Sequence, residues 1–273
     1  MYLIKQGKNY MKYIAIITGA SSGMGREMAL QLARLSKTKL EFWLIARRKN
    51  RIDELSECIL KLGHEVVCIE ADLLYDDIFS DLEAKLDFEK CKVLYLVNAS
   101  GFGKIGKVEE LPMDVQTDML ELNVVALMKL CRLIVPYMVK GHARIINFAS
   151  AAAFVPQPEF AVYAASKSFV LSFSRALNEE LSDKGISVTA VCPGPVKTEF
   201  FDIAEEKNEV KLYKKMFMAN PKRVVKKAIK DSMLRKDISV YGISIKLLHI
   251  FSGVLPTKFV FSVIRKINDT GNQ

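Results

Sequence analysis

The sequence predicts an α/β protein built on a doubly wound, mostly parallel sheet of about seven strands with helices on both faces. Short apolar runs rich in β-branched residues alternate with longer amphipathic stretches along most of the chain. These runs are apolar nearly throughout, not at every second residue, which marks strands covered on both sides. A glycine-rich turn stands directly after the first run. Strand and helix in strict alternation imply right-handed crossovers between parallel strands.

Strands are expected at Tyr13–Thr18, Glu41–Ala46, Glu65–Glu70, Val93–Asn98, Arg144–Ala149, Ile186–Val191 and Ile238–Tyr241. Helical periodicity falls between them, at Arg26–Leu35, Arg51–Leu62, Met113–Val139 and Val162–Ser182. No linker, repeat or low-complexity block intervenes, so residues 12–242 read as a single domain. Residues 1–11 read as an N-terminal extension, with Met11 as an alternative start. Residues 243–273 read as an apolar and basic tail: Ser244–Ile267 is mostly apolar, but Lys246, His249, Lys258, Arg265 and Lys266 interrupt it and Pro256 breaks a helix. It lacks the roughly 18 successive apolar residues of a spanning helix. Its expected roles are a lid on a substrate cleft, an oligomer contact or a contact with a membrane surface.

At 273 residues the chain is long enough for a full core. Its 50% hydrophobic and 26% charged residues argue against disorder. The five cysteines are scattered with no CxxC pair, which favours reduced thiols in a cytoplasmic protein and no metal site. The apolar run after the basic opening is too short for a secretory signal and leads straight into the glycine turn. The net charge of +9 is concentrated: Lys207–Lys236 holds eleven basic residues and two acidic ones. No groove-entering element accompanies that run, so nucleic acid is not the expected partner. A solvated helix face accounts for it, or an anionic partner such as a membrane surface or a phosphate-bearing substrate.

The turn Thr18-Gly19-Ala20-Ser21-Ser22-Gly23-Met24-Gly25 lies between the first strand and the first helix. Glycine lets backbone approach a pyrophosphate, and the helix N-terminus offers unpaired N–H groups and partial positive charge. That context points to a dinucleotide. The second strand ends in Ala46-Arg47-Arg48-Lys49, where a carboxylate would bond a ribose 2′-hydroxyl. A guanidinium there can pair with a 2′-phosphate, so NADP (as NADPH) is the expected cofactor, with Arg47 leading and Arg48 or Ser22 assisting. Asp72, followed by Leu73 after the third strand, can meet the adenine or cap the next helix.

Tyr163 and Lys167 are four residues apart in a helical stretch and so share a face. A nearby ammonium favours the phenolate, which would let tyrosine exchange protons near neutral pH. Ser150 closes the fifth strand, at the end of the sheet where open α/β folds form their crevice, and its hydroxyl can hold a substrate oxygen. Asn123 is polar within an apolar helix, and can bend that helix or hold a water that links Lys167 to solvent.

With Thr18–Gly25, Asp72, Asn98-Ala99-Ser100-Gly101, Asn123, Ser150, Tyr163 with Lys167, and Pro193–Thr198 in this order, the chain resembles the short-chain dehydrogenase/reductase family over residues 12–242. The resemblance implies a Rossmann fold and a catalytic tetrad of Asn123, Ser150, Tyr163 and Lys167. It implies that Thr18, Gly19, Ser21, Ser22, Gly23, Met24 and Gly25 bind the cofactor. Asn98 would support the central sheet, with Ala99 and Ser100 beside the cofactor. Pro193, Gly194, Val196 and Thr198 would line the nicotinamide. The implied reaction is hydride transfer between NADP(H) and a carbonyl or secondary alcohol, by a homodimer or homotetramer. Phe154, and the aromatic and methionine residues Phe200, Phe201, Leu212, Tyr213, Met216, Phe217 and Met218, suit an apolar ketone of steroid or fatty-chain type, or simply pack the helices. A small ketone, or a non-catalytic role as an NADP-binding redox sensor, is the alternative.

Overall fold

The computed structural model describes residues 12–75, 77–200, 204 and 218–252. Seven strands form one sheet: β1 Tyr13–Thr18, β2 Glu41–Ala46, β3 Glu65–Glu70, β4 Lys92–Asn98, β5 Arg144–Phe148, β6 Ser187–Val191 and β7 Ile238–Ser239. Their order is β3-β2-β1-β4-β5-β6-β7, and every pairing is parallel. The order reverses between β1 and β4, so a crevice opens beyond Thr18 and Asn98.

Alternate residues of each buried strand feed two separate cores. Ile14, Ile16, Trp43, Ile45, Leu96, Ile145 and Val188 face one side. There they meet α3 (Asp77–Glu89), α5 (Ala126–Ile134) and α6 (Ala161–Glu180). Ala15, Ile17, Phe42, Leu44, Val97, Ile146 and Val191 face the other, against α1 (Gly23–Leu35), α2 (Lys49–Leu60) and α7 (Pro221–Met233). This is why the strands read as continuous apolar runs.

The helix expected over Met113–Val139 is broken into pieces. α4 (Met113–Leu120) passes into a π-helical turn, Glu121–Val125, then α5, then a 3-10 turn at Val135–Tyr137 that contains Pro136. The π turn is centred on Asn123, whose amide is drawn out of the helix by bonds to the chain after β4. α3 and α7 follow from the alternation of strand and helix, and α7 carries part of the basic run. α7 starts with Pro221 after an Asn220 cap, buries Val224, Val225, Ala228 and Ile229, and exposes Lys222, Arg223, Lys226 and Lys230. This part of the basic run is therefore a solvated helix face, while Lys227 and Lys236 pair with the buried Asp231. The tail opens with a short helix, α8 (Ile243–Ser252). Residues 1–11, the remaining tail from 253, and the expected lid residues Phe201, Leu212, Tyr213, Met216 and Phe217 lie outside the described residues. Among the described residues no helix is long and apolar enough to cross a membrane, and no cluster of three or more His, Cys, Asp or Glu side chains could hold a metal ion.

Candidate active site

The glycine turn is built by close backbone approach. Thr18 ends β1, and its Oγ1 accepts from the N–H groups of Ala99 at 3.1 Å and Ser100 at 3.2 Å. Gly19 has φ +64°, and a Cβ there would stand 2.7 Å from the Ala99 carbonyl oxygen. A Cβ on Gly25 would stand 2.3 Å from the Gly19 carbonyl oxygen, so neither position admits a side chain. Ser22 caps α1 without a side-chain bond to its N–H groups, which keeps the helix N-terminus available to an anion. Such a cradle fits a dinucleotide pyrophosphate. Met24 packs partly against the α1–α2 core, and Leu73 is buried in the opposite one.

The two arginines after β2 differ. Arg48 donates from Nη2 to Ser22 Oγ at 2.8 Å and Ser21 Oγ at 3.2 Å. Its Nη1 bonds Glu199 at 2.8 Å, and Arg51 bonds the other oxygen of that carboxylate. Arg47 is more exposed and stands 3.6 Å from Asp72. Asp72 also accepts from the Leu74 N–H, which closes the turn after β3 and does not cap α3. Arg48 is thus the guanidinium that touches the turn.

Asn98 ends β4 and is almost fully buried. Its Nδ2 donates to Asn147 Oδ1 at 2.9 Å, and Asn147 Nδ2 donates to Ser174 Oγ at 2.9 Å. This chain of side-chain bonds ties β4 through β5 to α6, the helix that carries Tyr163 and Lys167.

Ser150 lies just past β5 and caps the 3-10 turn Ala151–Phe154, and its hydroxyl stands where it favours the ionised form of Tyr163. Lys167 Nζ donates to the Phe148 carbonyl at 2.9 Å and lies 5.7 Å from the centre of the Tyr163 ring. Burial pushes the phenol up to about 12, with the Ser150 bond opposing. Burial also pulls Lys167 down to about 8. The direction is opposite to the lowering expected from the ammonium, because desolvation favours both neutral forms. The phenol is protonated at neutral pH.

The Asn123 side chain makes three hydrogen bonds within the protein. Its Oδ1 accepts from the Phe102 N–H at 3.0 Å, and its Nδ2 donates to the Phe102 carbonyl at 2.9 Å and to Ser166 Oγ at 3.1 Å. The amide is committed to holding the loop after β4 against α6.

Phe154 packs against α8. Its ring lies 4.5 Å from His249 of α8, and it lines a cavity of about 420 Å³ with Ala161, Ala164, Ala165 and Ser168. What encloses Tyr163 is Phe160, stacked at 4.3 Å, Phe200 at 5.4 Å, and Phe102 and Met119 of the same cluster. A Cβ on Gly103 would come within 2.8 Å of both the Phe160 and Tyr163 rings. Sequence reasoning missed Phe102, Gly103 and Phe160, although Phe160 lies one helical turn before Tyr163 and Gly103 follows the expected Asn98–Gly101 motif.

The segment Pro193–Thr198 closes the site from the β6 side. The Pro193 carbonyl accepts from the Ala151 N–H at 2.8 Å, and Val196 is buried in a bridge to Ala219. A Cβ on Gly194 would meet Ile245 of α8 at 2.8 Å, and one on Gly23 would meet the Thr198 methyl at 3.3 Å. Thr198 therefore stands against the phosphate turn, and α8 forms one border of the site.

The sequence model of the short chain dehydrogenases matches residues 13–209. The chain is 31% identical over 269 residues to a very-long-chain 3-oxoacyl-CoA reductase of Anas platyrhynchos, covering 93% of this chain and 79% of that protein. It is 33% identical over 192 residues to 17-beta-hydroxysteroid dehydrogenase type 3 of Danio rerio, covering 67% and 61%. Among solved structures, a short-chain dehydrogenase from Sphingobium yanoikuyae in complex with NADPH aligns with TM-score 0.75 at 30% identity, covering 84% of this chain and 87% of that one. A Burkholderia phymatum homologue in complex with NAD has the same fold, with TM-score 0.75, 22% identity and coverage of 89% and 93%.

Proposed function

This chain belongs to the short-chain dehydrogenase/reductase family of nicotinamide-dependent oxidoreductases, and from that premise we propose that it reduces an apolar ketone with NADPH, Tyr163 supplying the proton. The observation that carries this reading is the buried phenol of Tyr163, set by the Ser150 hydroxyl and walled by Phe102, Phe160 and Phe200. A ketone oxygen would take the place between the two hydroxyls, accepting from Ser150 and then receiving the tyrosine proton. The bound cofactor would supply the hydride. Lys167, as ammonium below about pH 8, would help stabilise the phenolate left behind, and Asn123 would hold the loop that carries Gly101 against it. Arg48, fixed at the phosphate turn by Ser21 and Ser22, supports the choice of NADPH over NADH. The aromatic wall supports an apolar substrate, in keeping with the acyl and steroid activities named for the relatives.

The test follows NADPH oxidation with purified protein across long-chain 3-oxoacyl thioesters, steroid ketones and small ketones. The bulky apolar ketones should exceed the small ones by about tenfold or more in kcat/KM. Preference for small ketones would overturn the substrate reading. NADPH binding with no turnover of any ketone would favour a non-catalytic NADP-binding protein.

A further inference from the structure

Glu199 follows Thr198, which stands against the phosphate turn, yet its side chain reaches back across the mouth of the cradle to α2. One carboxylate oxygen takes Arg48 Nη1 at 2.8 Å and the other takes Arg51. The same Arg48 holds the hydroxyls of Ser21 and Ser22 through Nη2. An anion is thus already seated on the guanidinium that the proposed cofactor reading reserves for a 2′-phosphate. Carboxylate and phosphate compete for one guanidinium because both offer paired oxygens to its fork. The two arginines hold the Glu199 carboxyl below its ordinary range, so it is ionised at neutral pH.

We propose that Glu199 is a built-in stand-in for the cofactor's 2′-phosphate: it neutralises Arg48 and Arg51 in the free protein and yields Arg48 when the phosphate arrives. This rests on the NADPH reading above and sharpens it, because it makes Glu199 a selectivity residue. A dinucleotide with a 2′-phosphate must displace an ion pair to bind, while one without it need not. The existing pair lowers affinity for the phosphorylated cofactor and leaves that for the other nearly unchanged. Both arginines and Glu199 are partly exposed, so the exchange requires no unfolding and each pair is individually weak.

The experiment is calorimetric titration of wild type and Glu199→Gln with NADPH, NADH, adenosine 2′,5′-bisphosphate and adenosine 5′-monophosphate. In wild type the two 2′-phosphate ligands should bind more tightly than their partners. In Glu199→Gln they should tighten by a further factor of about two to five, with NADH and the monophosphate moving far less. Glu199→Asp keeps the charge but is one methylene shorter, and should fall between the two. Equal tightening of all four ligands would overturn the proposal in favour of a general loss of negative charge. Weakening of NADPH would overturn it by making Glu199 a clasp on the bound cofactor. A wild type that does not distinguish the 2′-phosphate ligands defeats the cofactor reading and this one together. A preference in wild type that Glu199→Gln leaves unchanged defeats only this one. Equal melting temperatures of the variants would show that folding is not the variable.

Discussion

The two ends of the sheet bury ionisable groups in opposite ways. At the amino ends of β1 and β2, Lys12 Nζ lies 2.6 Å from Glu41 and 2.8 Å from Glu89. Trp43 Nε1 donates to Glu41 at 2.6 Å, and Lys85 pairs with Glu89 while covering the Trp43 ring. At the carboxyl ends, Tyr163 and Lys167 are buried against a serine hydroxyl and a backbone carbonyl, and Asn98 Oδ1 has no partner. Burial pulls Lys12 down, but the bonds and charges of Glu41 and Glu89 more than offset it and raise its pKa. Burial of Lys167 outweighs the opposing effect of Cys192 and pulls its pKa down. Opposite charge keeps a buried group charged; neutral partners let burial push it toward its uncharged form. One end of the sheet is saturated for stability, and the other keeps unspent capacity for chemistry.

Removing groups one at a time breaks this contrast in different observables. The largest effect belongs to Tyr163→Phe, which deletes only the hydroxyl. Ketone reduction should fall by about 10²–10⁴ in kcat, with NADPH affinity and melting temperature nearly unchanged. Turnover retained within tenfold of wild type would remove Tyr163 as the acid. At the other end, Glu41→Ala leaves Trp43 Nε1 without its acceptor and Lys12 with one carboxylate. Stability in urea should drop by about 2–4 kcal/mol, somewhat under the range for a fully buried pair because Lys12 is partly exposed. Its kcat should stay close to that of the parent. A large loss of kcat without loss of stability would show that the two ends are not separable.

Much of this layout is legible in the sequence, and the gaps have physical causes. The strands could be read because burial on both faces leaves an unbroken apolar run, as in Phe42-Trp43-Leu44-Ile45. The glycine turn and the Tyr163–Lys167 spacing are local patterns, so they too could be read. The break at Asn123 could not, because it depends on bonds to Phe102, which lies 21 residues earlier. The seat of Phe154 depends on His249, brought by α8 from the far end of the chain. Arg48 and Glu199 are 151 residues apart, and nothing in either local sequence announces the other. Local spacing reveals which groups can do chemistry; only the fold decides which of them are already spoken for.

The smallest expected effect concerns Lys167 itself. Its pKa falls from 10.5 to about 8 on folding, so between those values the unfolded chain holds a proton that the folded one has released. The unfolded state therefore binds more protons in this window, and the contribution of Lys167 to stability rises with pH across it. Below about pH 8 the folded protein bears the full net cost of a buried ammonium without a carboxylate partner among the described residues. Lys167→Met removes that cost while keeping much of the side-chain volume, at the expense of the bond to Phe148. Relative to wild type, the variant should be favoured by about 1–3 kcal/mol more at pH 7 than at pH 10.5, whatever the constant offset from the lost bond. Urea denaturation of both proteins at the two pH values measures this, since other groups titrating in the window contribute alike to each. A difference that does not change with pH would mean that Lys167 has a charge partner in the folded state, and the contrast between the two ends of the sheet would fall with it.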